Sequence, residues 1–144
     1  IYTLSLHDAL PILAFDGNWT EERFLQRYPG DDRVTLLGED AYQWGSKKDF
    51  ITQATADLNF LTAFANKHGK LLAMTECGLK NMTDATWYTH VLQPVLHRYP
   101  LCYFHLWRNA TEEFFGPVPG SAFGNDFNEM VGHKHILMLK DITR

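Results

Sequence analysis

The sequence has 144 residues and a formal charge of −4, with 45% apolar and 21% charged residues, the profile of one ordinary globular domain. That balance excludes a basic nucleic-acid-binding surface, and no run of about eighteen apolar residues exists to span a membrane. Two cysteines, Cys77 and Cys102, are too few for a disulfide framework.

Residues 1–12, IYTLSLHDALPI, match the in-frame translation of a common sequencing adapter. They are read as foreign to the protein, so the His7-Asp8 pair carries no catalytic weight. The domain proper is expected over 13–144, with natural sequence continuing upstream. Leu13-Ala14-Phe15 reads as the stub of a first strand, followed by a turn at Asp16-Gly17-Asn18. Thr20 then starts a helix from Glu21 to Tyr28, with acids in its first turn where the helix dipole favours them. Pro29-Gly30-Asp31-Asp32 stops it.

Val34 to Gly38 reads as a buried strand leading into Glu39-Asp40-Ala41-Tyr42. Asp49 is the expected N-cap of a long helix ending near His68. Its residues Phe50, Ala54, Leu58, Leu61 and Ala65 recur at helical spacing on one face, and Gly69 supplies the terminating glycine. Leu71 to Met74 is a second apolar strand. Thr83 or Asp84 caps a helix to about Tyr99, with Trp87, Val91 and Val95 inward and a kink at Pro94. Leu101 to Leu106 is a third apolar strand, with His105 expected in the core. A proline- and glycine-containing loop precedes a last helix over Asp126 to Val131.

Apolar strands alternating with amphipathic helices imply a parallel sheet covered by helices. Four units of a (β/α)8 barrel and part of an open doubly wound sheet both fit this rhythm. No glycine-rich dinucleotide or phosphate loop follows any strand, which weighs against the nucleotide-binding version.

In parallel α/β folds function collects at the carboxyl ends of strands. Three such ends are chemically rich: Asp40-Ala41-Tyr42 with Trp44, Thr75-Glu76-Cys77-Gly78, and Trp107-Arg108-Asn109. Taken singly, each is as well explained by a cap, a loop acid or a core rim. Together they bring a carboxylate, a tyrosine, an arginine and tryptophans to successive strand ends, which suits a sugar site. His133 and His135, two apart, would fall on different faces of a helix, so no metal site is expected. The Asn-X-Thr triplets at Asn18, Asn81 and Asn109 are given no role. Cys77 lacks a histidine near in sequence to make it a nucleophile.

Ordered motifs then resemble glycoside hydrolase family 26, the β-mannanase family. Ala73-Met74-Thr75-Glu76-Cys77-Gly78 resembles its A-L-T-E-T-G strand end. Tyr28-Pro29-Gly30-Asp31-Asp32 with Leu37-Gly38-Glu39-Asp40-Ala41-Tyr42-Gln43 resembles its Y-P-G-D…G-F-D-x-Y-Q. Trp87-Tyr88-Thr89, Tyr99-Pro100 through Trp107-Arg108-Asn109-Ala110, and Pro117-Val118-Pro119-Gly120 with Asp126-Phe127 extend the likeness from Leu13 to the end.

The resemblance implies the C-terminal half, strands five to eight, of a (β/α)8 TIM barrel. It implies that Glu76 is the nucleophile of a retaining glycosidase and that Tyr42 orients it. Asp40, Trp107 and Arg108 are implied sugar contacts, and Trp44 is added as a substrate-binding candidate. The acid/base glutamate of the family's fourth strand is not in this sequence, so the chain alone is expected to be inactive and to need the missing N-terminal half of the same barrel. The implied substrate is a β-1,4-mannan, with β-glucan or xylan cleavage, or a non-catalytic carbohydrate-binding barrel, as alternatives. No cofactor or metal is expected. A secreted, periplasmic or cell-surface location follows from a polymeric substrate. Glu39 stands where the family has Phe and Cys77 where it has Thr, both expected beside the site.

Overall fold

The computed structural model describes residues 12–15 and 20–142. The adapter-like residues 1–11 and the expected turn at 16–18 lie outside the described residues. Strand β1 (Ile12–Phe15) is followed by α1 (Glu21–Leu25), β2 (Leu36–Gln43), α2 (Lys47–His68), β3 (Leu71–Leu79), α3 (Gln93–Leu96), β4 (Phe104–Leu106), α4 (Ala122–Val131) and α5 (Leu139–Ile142). The four strands form one sheet in the order β1-β2-β3-β4, and every pair is parallel. The order never reverses, so each crossover leads to the adjacent strand. That is the arrangement of a barrel arc, whereas a complete doubly wound sheet has a switch point.

Local chemistry explains where the elements begin and end. Thr20 caps α1, its hydroxyl accepting from the Arg23 N–H at 3.3 Å. Helix α2 starts earlier than Asp49. Ser46 is its cap: the Ser46 hydroxyl accepts from the Asp49 N–H at 3.1 Å and donates to the Asp49 carboxylate at 2.7 Å, a reciprocal cap. Gly69 ends the helix in the left-handed region, at φ 63°, where a Cβ is disfavoured.

Pro94 has a larger effect than a kink. It offers no N–H to the preceding turn, and the chain over Tyr88–Leu92 widens into a π turn. Asp84 accepts from the Thr86 N–H at 3.1 Å. The start of the π turn is held from another element: buried Asp126 on α4 accepts from the Tyr88 N–H at 2.8 Å, the Thr89 N–H at 3.3 Å and the Thr89 hydroxyl.

The main core lies between the sheet and its helices. Leu37, Leu58, Leu61, Met74, Trp87, Tyr88 and Leu92 are all at most 1% exposed, a burial that stabilises each large side chain by about 1.5–3 kcal/mol. Phe24 of α1 packs its ring against Phe60 and Phe64 of α2 at 5.2 and 4.7 Å. At the far end of the sheet, Asp31 accepts from the Tyr28 hydroxyl at 2.6 Å and from His68 Nδ1 at 3.0 Å. This ties the Pro29–Asp32 turn to the end of α2.

One histidine expectation is corrected. His105 is exposed rather than buried: β4 alternates Phe104 and Leu106 toward the core, which turns the residue between them to the other face. His133 and His135 follow α4, and both rings approach His97, at 6.3 and 5.6 Å. Among the described residues no cluster of three or more ligands is placed to hold a metal ion.

Candidate active site

Strands β2 and β3 run further than the apolar pattern suggested, and that extension builds the site. Strand β2 continues through Tyr42 and β3 through Gly78. Across their ladder Asp40 pairs with Glu76 and Tyr42 with Gly78, after an irregularity between Gly38 and Asp40. Side chains alternate between the two faces of a strand. Leu37, Ala41 and Cys77 belong to the helix-side core, so Asp40, Tyr42 and Glu76 share the opposite face.

The Tyr42 hydroxyl donates to Glu76 Oε2 at 2.8 Å. Burial, this hydrogen bond and the negative charge of Glu76 push the Tyr42 phenol far above its ordinary range, so it remains a donor at any working pH. Thr75 donates to Asp40 Oδ1 at 2.7 Å and to the Glu39 carbonyl at 3.2 Å, which fixes the second carboxylate. Gly38 leaves the room for this, because a Cβ there would run into the Thr75 side chain. Glu76, Asp40 and Tyr42 are each half-buried, accessible to a ligand yet held.

The aromatic groups stand around this centre. Trp44 is 72% exposed and stacks on Tyr42 with ring centroids 5.4 Å apart. Trp107 directly follows β4, its N–H donating to the Cys77 carbonyl at 3.0 Å, and its ring lies edge-on to His105. Arg108 is exposed. The Lys80 ammonium at 2.7 Å and, more weakly, the Arg108 charge hold Glu113 below the usual carboxylate range. The strand ends thus carry the six residues read from the sequence, with Glu76, Tyr42, Asp40 and Trp44 tied together by register, hydrogen bond or ring contact.

The expectation that Glu39 and Cys77 border the site is corrected. Both are buried, at 1% and 0% exposure. As chain neighbours of Asp40 and Glu76, they point to the opposite side of the sheet. Burial pushes the Cys77 thiol well up, and its S–H donates to the His105 carbonyl, so it is not a reactive thiol.

Sequence reading placed Thr75, Gly78 and Asn109 in the strand-end motifs without a role for them, and did not single out Phe115. Asn109 stands in the sequence as the last residue of the Trp107-Arg108-Asn109 strand end and in an Asn-X-Thr triplet, and neither reading gave its side chain a role. Its carbonyl oxygen accepts from the Phe115 and Gly116 N–H groups at 2.9 and 2.8 Å. Asn81, from another such triplet, accepts from the Phe114 N–H at 3.1 Å.

A trough of about 870 Å³ lies elsewhere, against the outer edge of β4 between Tyr103, His105, Phe127, Ile136 and Leu137. Its lining contains no carboxylate.

No family model matches the chain. A mannan endo-1,4-β-mannosidase of Bifidobacterium adolescentis is 34% identical over 68 residues, covering 44% of this chain and 7% of that protein. A glycoside hydrolase family 26 β-mannanase from Bacteroides ovatus superposes with a TM-score of 0.85 at 37% identity, covering 90% of this chain and 39% of that one. A modular endo-β-1,4-mannanase of the same family from Cellulomonas fimi superposes with a TM-score of 0.78 at 28% identity, covering 92% of this chain and 32% of that one. The chain therefore spans well under half the length of the solved structures it matches, and its sheet is a four-strand arc of their (β/α)8 barrel.

Proposed function

We propose that the chain is part of a glycoside hydrolase family 26 enzyme and that Glu76 is the nucleophile of a retaining endo-β-1,4-mannanase whose acid/base comes from sequence outside these 144 residues. The observation that carries this is the 2.8 Å hydrogen bond from Tyr42 to Glu76, at the carboxyl ends of two adjacent parallel strands.

The chemistry follows from that geometry. One Glu76 oxygen attacks the anomeric carbon while the bond to the leaving sugar oxygen breaks, and a second carboxylic acid about 5–5.5 Å away protonates that oxygen. Water then attacks the same carbon, giving its proton to the second carboxylate and releasing Glu76. Tyr42 holds Glu76 by one oxygen and leaves the other free to attack. Asp40, fixed by Thr75, faces sugar hydroxyls. Trp44 and Trp107 offer ring faces to pyranose rings, and Arg108 reaches the same cleft from the next strand end.

The second carboxyl belongs to the part of the barrel that supplies the four remaining strands. The open edge of β4, with its apolar trough, is where that part closes the barrel. The chain by itself is therefore inactive on mannan. A polymeric substrate also places the complete enzyme outside the cytoplasm.

The test is covalent trapping in the full-length enzyme. A 2-deoxy-2-fluoro mannoside with a good leaving group should attach to the peptide containing Glu76, as read by mass spectrometry, and Glu76→Gln should abolish both labelling and mannan hydrolysis. Labelling of another residue would refute the nucleophile assignment. Binding without turnover by the full-length protein would favour the non-catalytic reading, and turnover of β-glucan or xylan in place of mannan would reassign the substrate. Mannan hydrolysis by the purified 144-residue chain would overturn the need for an outside acid.

A further inference from the structure

We propose that Phe115 is a positioning residue for the reaction: it acts through Tyr42 to hold the hydrogen bond on Glu76. The inference rests on the assignment of Glu76 and Tyr42 made above.

Phe115 is 2% exposed, too buried to meet a sugar itself. Its ring meets Tyr42 edge to face at 5.5 Å, with an interplanar angle of 74°, and meets Trp44 at 6.4 Å and 84°. Tyr42 therefore has Trp44 stacked on it and Phe115 against it, and its hydroxyl is aimed at Glu76. Aromatic edge-to-face contacts of this kind are directional.

The ring reaches this position because Gly78 has no side chain. A Cβ at Gly78 would stand 2.6 Å from Phe115 Cδ1 and 3.0 Å from its Cβ, closer than carbon atoms approach. Gly78 pairs with Tyr42 in the β2–β3 ladder, so the slot opens beside the tyrosine it serves.

The backbone of Phe115 is pinned as well. Its carbonyl accepts from the buried Tyr88 hydroxyl at 3.1 Å, and its N–H donates to Asn109. A tight turn, with the Ala110 N–H on the Glu113 carbonyl at 2.7 Å, returns the chain from Asn109 toward Phe115. The loop that begins with Trp107-Arg108 thus ends by bracing the partner of the nucleophile.

The test is a double-mutant cycle in the full-length enzyme with Tyr42→Phe, Phe115→Ala and the milder Phe115→Leu. Phe115→Ala should lower kcat by about tenfold, approaching Tyr42→Phe, with KM within about twofold of wild type. Phe115→Leu should recover part of the loss, and it serves as the measured variant if Phe115→Ala does not fold. In the Tyr42→Phe background either Phe115 substitution should lower kcat by less than about twofold, because the two act through one contact.

A purely structural residue would give the opposite pattern. The proposal is overturned if the Phe115 variants lose thermal stability but keep wild-type kcat, or if their effect multiplies fully with that of Tyr42→Phe. A fully active Glu76→Gln enzyme would remove the underlying assignment and this proposal with it. An inactive Glu76→Gln beside a wild-type-like Phe115→Ala would overturn this proposal alone.

Discussion

Substituting Gly78 by alanine places a methyl group in the slot that Phe115 fills. The new carbon would lie 2.6, 3.0 and 3.1 Å from three atoms of that side chain. Comfortable carbon–carbon contacts begin at about 3.5 Å, so the ring has to move by nearly an ångström. It has little freedom to do so, because its backbone is held by Tyr88 and Asn109. Overpacking of this kind costs about 1–3 kcal/mol, a factor between about five and somewhat over one hundred in the folding equilibrium. Urea denaturation of the full-length enzyme should show a lower midpoint at unchanged slope. The moved ring also presses on Tyr42, so kcat should fall with it. Gly69→Ala is the control. It meets open space but sits at φ 63°, where a side chain costs about 1 kcal/mol. It should lower stability by a similar amount and leave kcat alone. Adding Phe115→Leu to Gly78→Ala should restore part of the lost midpoint. A Gly78→Ala enzyme with wild-type midpoint and kcat would refute the reasoning.

Tyr42→Phe removes one hydrogen bond to a charged carboxylate, worth about 1.5–3 kcal/mol, so kcat should drop by about ten- to a hundredfold with KM little changed in steady-state kinetics on mannan. Asp126→Ala strips the partners from the Tyr88 and Thr89 N–H groups and should cost about 2–4 kcal/mol by urea titration, with Asp126→Asn intermediate. The Tyr28 and then the His68 hydrogen bonds hold the Asp31 carboxyl below its ordinary value. Its folded pKa is therefore lower than its unfolded one, so its stabilising effect is full above the ordinary carboxylate value and is lost as pH falls through the depressed value. Asp31→Asn should flatten that acid limb in a plot of urea midpoint against pH, and an unchanged acid limb would refute the coupling.

The strand–helix rhythm and some helix ends were readable because burial and capping leave local marks, as with the face of α2 and its glycine stop, whereas α4 begins at Ala122, a turn before the expected Asp126. Strands β2 and β3 were read too short at their carboxyl ends, while β4, read from Leu101, begins only at Phe104. Asp40, Tyr42, Thr75 and Glu76 are polar, and polarity on the inner face of the sheet looks in sequence like the start of a loop. The carboxylate and its tyrosine were visible through ordered motifs. The supports were not: the slot at Gly78 exists only once Phe115, far along the chain, folds back into it. The hold of Asp126 on the π turn is likewise a contact between distant segments. No window of local sequence contains both halves of either contact.

Alternation along β3 also decides what the departures from the family pattern mean. Glu76 and Cys77 are covalent neighbours on opposite faces, so proximity in sequence does not make Cys77 part of the chemistry. Its sulfur is fully buried in the helix-side core, with its S–H directed to the His105 carbonyl at 3.4 Å. Threonine has a similar volume, and its hydroxyl can donate to the same carbonyl. Cys77→Thr should therefore shift the urea midpoint by no more than about 1 kcal/mol equivalent and leave kcat and its pH profile unchanged. Cys77→Ala, which opens a void and strips a partner from that carbonyl, should lose stability while kcat again holds. A change in the pH profile of either variant would show that the thiol reaches through the strand to the carboxylate, and the division of the sheet into a chemical face and a packing face would fail at its central position.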